Sequence, residues 1–163
     1  MNKEYTDIFL QSYNEKDGIK VNGALLVNAI VLFTSAAKIL NEVNQKSLND
    51  KQYDRDSIAK AFEMASHALN ELNGAHLVGE YDEYDVDPQI FHGILGIGSL
   101  SGELAEALLQ VMLTSHDFKV SYNILNEIGD IAKFQTLVID ALDGDWDHVL
   151  YTSARRAHLE RKQ

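Results

Sequence analysis

The stretch PQIFHGILGIGSLSGELAEALLQVML, residues 88–113, decides the fold class. Its apolar residues recur at three- and four-residue spacing, which is typical of a buried face of an α-helix. Asp87 is the expected N-cap, and Pro88, the single proline of the chain, fits the first helical position. We therefore predict a helix from Pro88 to about Leu113.

The same spacing predicts helices in the rest of the chain, where β-branched residues are nowhere concentrated in alternating runs. We expect loops at 44–55 and in the acidic stretch 80–87, and no confident strand. We therefore predict an all-α bundle of five to six helices in a single domain. Residues 1–80 supply the N-terminal helices that complete this bundle. Four other helices are predicted at about 3–13, 22–43, 57–73 and 120–142, and the N-cap of the third of these is Asp56 or Ser57. Asp145 caps a last helix, which ends in a basic tail at 155–162.

Composition limits the classes of function. The 163 residues suffice for one compact domain, and the absence of cysteine excludes disulfides and thiolate metal sites. Lys and Arg number 14 against 25 Asp and Glu, which gives a net charge of −11. This charge argues against nucleic acids or anionic membranes as the main partners. A small anionic ligand stays compatible with it if divalent cations mediate the contact.

The location of the protein is predicted from its apolar segments. The N-terminal stretch MNKEYTDIFLQ is charged and lacks the apolar centre of a signal peptide. Residues 23–40 are the most apolar stretch, but polar residues interrupt it, so it falls short of a membrane span of roughly 20 residues. We expect a cytoplasmic protein with no membrane partner.

Two pairs of acidic residues carry the argument for chemistry. Glu103 and Glu106 lie in GELAEAL, and Glu127 and Asp130 lie in NEIGDI. Residues three apart share a helix face, and the short connection 114–119 favours antiparallel neighbours, so the two pairs could converge. Four carboxylates repel one another unless divalent cations join them, and Mg²⁺ prefers such oxygen ligands. A solvated helix face is the alternative interpretation of the same spacing.

The motifs FHGILGIGSLSGELAEAL (91–108) and NEIGDI (126–131) resemble those of the MazG-like nucleoside triphosphate pyrophosphohydrolases. The resemblance covers about residues 91–156. It implies an α-helical bundle, often oligomeric, that binds Mg²⁺ through acidic side chains. Such an enzyme hydrolyses a nucleoside triphosphate between its α- and β-phosphates, giving the monophosphate and pyrophosphate.

The resemblance also implies roles for particular residues. The catalytic residues would be Glu103, Glu127 and Asp130, and together with Glu106 they would hold Mg²⁺, with Mn²⁺ as a possible replacement. The partner would be a nucleoside triphosphate, and the assembly a homo-oligomer, either a dimer or a tetramer. Candidates for substrate binding are Lys133, Phe134 and Arg156.

Each of these binding residues has a second interpretation. Lys133 could meet a substrate phosphate or pair with a surface carboxylate. Phe134 could stack on a base or belong to the core. Arg156 could meet a phosphate or stabilise the end of a helix through its dipole. For the helix at 22–43, the wide apolar stripe is typical of a core helix, and an oligomer interface is the alternative.

The sequence departs from the family pattern at Leu100. The family usually has Glu-x-Gly-Glu around its first motif, and the first of those acids falls on Leu100, which cannot bind Mg²⁺. Glu103 matches the second acid, and Glu106 restores a literal Glu-x-x-Glu one turn later. Two interpretations follow: a diverged enzyme, or a catalytically inactive bundle that binds a nucleotide or a protein partner.

Three glycines precede the first acid pair. Gly96, Gly98 and Gly102 do not follow a predicted strand, so a phosphate-binding glycine loop is disfavoured. We predict that they are points of close packing between helices.

Overall fold

The protein is all-α, as predicted. The structure is a computed structural model and describes residues 3–11, 19–74, 82–84, 86–113 and 118–160. Within those ranges, two three-residue strands, β1 (Ile19–Val21) and β2 (Asp82–Tyr84), accompany the helices. The six helices found there are α1 (Lys3–Gln11), α2 (Gly23–Asn49), α3 (Arg55–Gly74), α4 (Pro88–Leu113), α5 (Phe118–Ala141) and α6 (Trp146–Glu160).

The chain divides into two compact units. One unit is Ile19–Tyr84 and contains α2, α3 and both strands. The other combines Met1–Gly18 with Asp85–Gln163 and contains α1, α4, α5 and α6. The first unit is therefore inserted, in sequence, into the second.

In the inserted unit, α2 is longer than predicted. Asn22 caps its start by accepting a hydrogen bond from the Leu25 backbone N–H at 2.9 Å. The predicted end near residue 43 is wrong, because the helix continues to Asn49 and stops at Asp50, whose φ of 50° lies in the left-handed region. The Lys46 ammonium donates to the Asp50 carboxylate on this extra stretch, which favours its helical form.

The start of α3 also differs from the prediction. The cap is Asp54, whose Oδ1 accepts from the backbone N–H groups of Asp56 and Ser57 at 3.1 and 3.0 Å. The backbone N–H of Asp54 in turn donates to Glu42 Oε2 of α2 at 3.0 Å. This contact ties the end of α2 to the start of α3, and it selects an earlier cap than the two residues predicted from local sequence.

Small residues fill the contact between α2 and α3. Ser35 of α2 and Ala61 and Ala68 of α3 are fully or almost fully buried. The predicted loop at 80–87 is wrong for residues 82–84, which pair antiparallel with β1 so that Tyr84 lies opposite Ile19. Cross-strand side-chain contact stabilises such a pair, and Ile19 is buried there.

The second unit is built on α4 and α5, which pack against each other, and α1 also contacts α5. Asp87 caps α4 by accepting from the backbone N–H groups of Gln89 and Ile90, which confirms the predicted start. After α5, the Gly144 backbone N–H donates to the Ile139 carbonyl at 2.7 Å and closes the helix end. Asp145 then caps α6 through the Asp147 N–H, as predicted.

Helices α2 and α4 are each long and apolar enough to cross a membrane, judged by length and composition only. Polar residues interrupt the apolar stretch 23–40, but α2 still meets the criteria of length and composition for a membrane-crossing helix. Core helices of soluble proteins pass the same test, so the finding does not assign a location by itself.

Candidate functional site

The register between α4 and α5 is fixed by three contacts. The Gln89 side-chain amide donates to the Leu137 carbonyl and to Asp140 Oδ2, both at 3.0 Å. Seven residues further along α4, Gly96 lies so close to Phe134 that an added Cβ would be 2.5 Å from the ring atoms Cε1 and Cγ. The helices are therefore antiparallel, because residue numbers rise on α4 as those of the facing residues fall on α5.

This register brings the two acidic motifs to the same level. One turn beyond the Gly96–Phe134 contact, at 1.5 Å per residue, Leu100 comes level with Asp130. Two turns beyond it, Glu103 comes level with Glu127. The predicted opposition of the two acid-bearing segments therefore follows from the packing, whereas Glu106 lies almost one turn further along α4.

Glu127 has an unusual environment for a carboxylate. Its Oε2 atom is buried, and no hydrogen-bond donor reaches it among the residues that the structure describes. A buried oxygen without a donor is costly, and the cost is greater for a charged group. A proton donor or a cation at this atom would lower that cost.

The other three acids are exposed to solvent: Glu103, Glu106 and Asp130. In the described part of the chain, no three His, Asp or Glu side chains come close enough to hold one metal ion together. The acids predicted to form a four-carboxylate cluster thus lie on facing segments of α4 and α5, and the metal cluster itself stays a prediction.

Phe134 lies in the contact between α4 and α5. Its half-buried ring meets Gly96, and the His92 ring approaches it edge-on with 5.2 Å between centroids. The Lys133 Nζ atom is 6.0 Å from the centre of the same ring, near the limit of a cation–π contact. Phe134 thus has a packing role, and its predicted role in stacking on a base stays a prediction.

Arg156 lies on α6, whose side chains from Asp147 to Leu159 are exposed. Asp145 caps the start of this helix, and Trp146 joins that start to α5, because its indole N–H donates to Thr136 Oγ1 at 3.2 Å. Arg156 lies ten residues beyond Trp146, or about 15 Å along the helix. In the described part of the chain, no hydrogen bond or ion pair joins Arg156 to the acids of α4 and α5.

Two features of this region were missed by sequence reasoning. Gln89 bridges α4 to α5, but a glutamine near a helix start carries no pattern that would predict a partner 48 residues away. The buried oxygen of Glu127 depends on which face of α5 meets α4. Only the assembled helix pair reveals either feature.

Comparisons with known proteins add no assignment. No protein-family model, curated protein or solved structure matches the chain. A functional proposal therefore rests on the acid-bearing helix pair and on the motif resemblance.

Proposed function

We propose that the chain is a Mg²⁺-dependent nucleotide pyrophosphohydrolase. It would convert a ribo- or deoxyribonucleoside triphosphate and water into the monophosphate and pyrophosphate. The observation that carries this proposal is the opposition of Glu103 and Glu127 across α4 and α5, with Glu127 Oε2 buried and without a donor among the described residues. The motif resemblance supplies the class of reaction.

The available donors fit a hard divalent cation. They are all carboxylate oxygens, the ligand type that Mg²⁺ and Mn²⁺ prefer. A cation at Glu127 would relieve the cost of its buried oxygen. When bound, Mg²⁺ polarises phosphoryl oxygens and activates water for attack. The residues that would hold it are Glu103, Glu106, Glu127 and Asp130.

The substrate phosphates need positive groups, because the chain carries a net charge of −11. Lys133 lies one turn after Asp130 on α5 and is half-buried, which makes it the first candidate for a phosphate contact. Arg156 is a second candidate. Phe134 would contact the base only with the part of its ring that His92 and Gly96 leave accessible.

The proposal also includes the location and the oligomeric state of the enzyme. We place it in the cytoplasm, where nucleoside triphosphates are its substrates, and as a homo-oligomer. The acidic composition supports a metal-mediated contact with small anionic ligands over binding to nucleic acids or membranes.

Product analysis tests the proposal. The purified protein is incubated with Mg²⁺ or Mn²⁺ and a panel of nucleoside triphosphates, and the products are separated by chromatography. We expect monophosphate and pyrophosphate from the wild type.

Glu127→Gln should lower the rate at least 100-fold, because an amide replaces a metal-binding carboxylate. Glu71→Gln, on the exposed surface of α3, is the matched control and should keep full activity. Full turnover by Glu127→Gln would exclude the assigned site.

The position of Leu100 favours a second candidate function, an inactive bundle that binds a nucleotide or a protein partner. Leu100 comes level with Asp130, where the resemblance calls for an acid. In that case the wild type would gain thermal stability from nucleotide and Mg²⁺ without forming product, since a ligand that binds only the folded state stabilises it. Pyrophosphate formed by Leu100→Glu and not by the wild type would favour this function over a diverged enzyme.

A further inference from the structure

The outer face of α2 carries a continuous apolar stripe. Helical spacing of four, four, three, four and three residues places its members on one side of the helix. All of them are exposed, and no charged residue lies among them. We call this set the outer stripe, and it consists of Leu25, Ala29, Phe33, Ala36, Leu40 and Val43.

The contact with α3 uses a different side of α2. That side contains the buried Ser35, and residues Val27 and Val31 border it along a groove shared with Lys60 and His67 of α3. On the helix, Ser35 is about 100° from Ala36 and further from Leu40. The described residues of the inserted unit, 19–74 and 82–84, therefore leave the outer stripe uncovered.

The outer stripe is complementary to itself when two copies run antiparallel. With a two-fold axis midway between Phe33 and Ala36, large residues face small ones: Phe33 meets Ala36 of the second copy, and Leu40 meets Ala29. Leu25 meets Val43 in the same register. Alternation of large and small side chains is what allows two helices to interlock closely.

The ends of the stripe agree with this arrangement. Asn22 precedes it and Ser47 follows it on the same face, so polar residues bound the apolar surface at both ends. In the antiparallel register these two residues also come level with each other. In a two-fold contact both copies use the same surface. If residue i of one copy faces residue j of the other, then residue j of the first copy must also face residue i of the second.

The apolar area is close to what a stable dimer needs. Phe62 and Leu69, two turns apart on α3, lie on the side of the α2–α3 pair away from the groove and extend the stripe. Seven large apolar residues here, Ile30 included, are 44% to 61% exposed. Together they present on the order of 600–700 Å² per chain. A standard interface buries about 800 Å² per partner, and the two alanines of the outer stripe would add to the total.

We infer that the protein forms a two-fold symmetric dimer in which the outer stripes of two α2 helices pack antiparallel, with Phe33 of each copy against Ala36 of the other. A second copy fits better than an anionic membrane surface, because a net charge of −11 repels such a surface. The inference is independent of the proposed enzymatic function, since it uses neither the acids of α4 and α5 nor a metal.

Single-cysteine crosslinking tests the register on a chain that has no cysteine of its own. In the antiparallel dimer, the two copies of position 36 are about 4–5 Å apart along the axis and those of position 29 about 16 Å apart. Because a disulfide needs Cα atoms within about 7 Å, Ala36→Cys should oxidise to a covalent dimer and Ala29→Cys should not. Efficient crosslinking of both variants would indicate a parallel pair and overturn the proposal.

Sedimentation velocity over a concentration series tests the interface itself. We expect a dimeric wild type, a monomeric Phe33→Lys, and a dimeric Thr34→Lys, which adds the same charge on the other side of α2. Circular dichroism verifies that both variants keep their helices. A monomeric wild type, or a dimer that survives Phe33→Lys, would refute the interface. Flotation of the wild type with phosphatidylcholine vesicles in place of dimerisation would assign the stripe to a membrane and also refute it.

Discussion

Thr136 shows how a single hydroxyl connects two helices. The side chain is fully buried, donates to the Ala132 carbonyl at 2.8 Å, and accepts from the indole of Trp146. Thr136 is therefore the contact that holds the start of α6 against α5. Its neighbour Leu137 is buried as well, so the hydroxyl lies in the core of this unit.

We predict that Thr136→Val destabilises the protein by about 1–2 kcal/mol, because the indole N–H of Trp146 loses its acceptor in a partly buried place. Urea unfolding followed by the fluorescence of Trp146, the single tryptophan, measures the change. Thr34→Val is the matched control, since the Thr34 hydroxyl also bonds to a backbone carbonyl in its own helix but is exposed. Equal effects of the two substitutions would contradict the role of the Trp146 contact.

For single residues, the sequence predicted which acids share a helix face but not how deeply each one is buried. Spacing alone predicted that Glu127 and Asp130 share a helix face, and the register between α4 and α5 brings that face to α4. The difference between a buried Glu127 oxygen and an exposed Glu103 could not be predicted. Glu103 and Glu127 each lie three residues before a second acid, so their spacing is the same. Their burial differs because each helix is rotated differently about its own axis.

At the scale of the element, the glycines of α4 divide into two kinds. The prediction of close packing is confirmed for Gly96, which meets the Phe134 ring. It is wrong for Gly98 and Gly102, where an added Cβ would meet no described atom within 4 Å. Gly93 was not predicted, yet it is buried against Val138. Successive turns carry glycine on several faces of α4, and the sequence does not tell which of these faces meets α5.

We predict opposite effects for two alanine substitutions on α4. Gly96→Ala should destabilise the protein by about 1–3 kcal/mol, because the new methyl group collides with Phe134 and the helices must separate. Gly98→Ala should stabilise it by about 0.5–1 kcal/mol, since alanine favours the helix and nothing obstructs it. Thermal unfolding of both variants measures these changes. A stabilising Gly96→Ala would contradict the register assigned to α4 and α5.

Helix boundaries depended on partners that local sequence does not show. The caps Asp87 and Asp145 were predicted correctly, because the residues that they cap follow immediately in sequence. The cap of α3 was wrong, because Asp54 is held by Glu42, twelve residues away. The strands were missed for the same reason: β1 and β2 are three residues each and pair across more than 60 residues.

At the scale of the whole molecule, excess negative charge should limit stability. We predict that KCl raises the melting temperature of the metal-free protein by a few degrees, because salt screens repulsion within a chain of net charge −11. MgCl₂ at the same ionic strength should raise it further in the wild type, since specific binding adds to screening. In Glu127→Gln the two salts should act alike. Differential scanning fluorimetry checks this, and an equal response of the wild type to both salts would argue against the metal site.

The insertion of one unit into the other has a consequence for synthesis on the ribosome. The inserted unit is complete once Tyr84 has been translated, since β2 then reaches its partner β1. The surrounding unit must wait for α4, α5 and α6, although its first segment is made before anything else. Units that fold as they emerge generally do so in the order of completion. The nascent chain can thus form its α2–α3 pair before the surrounding unit, which holds both acidic motifs, is complete.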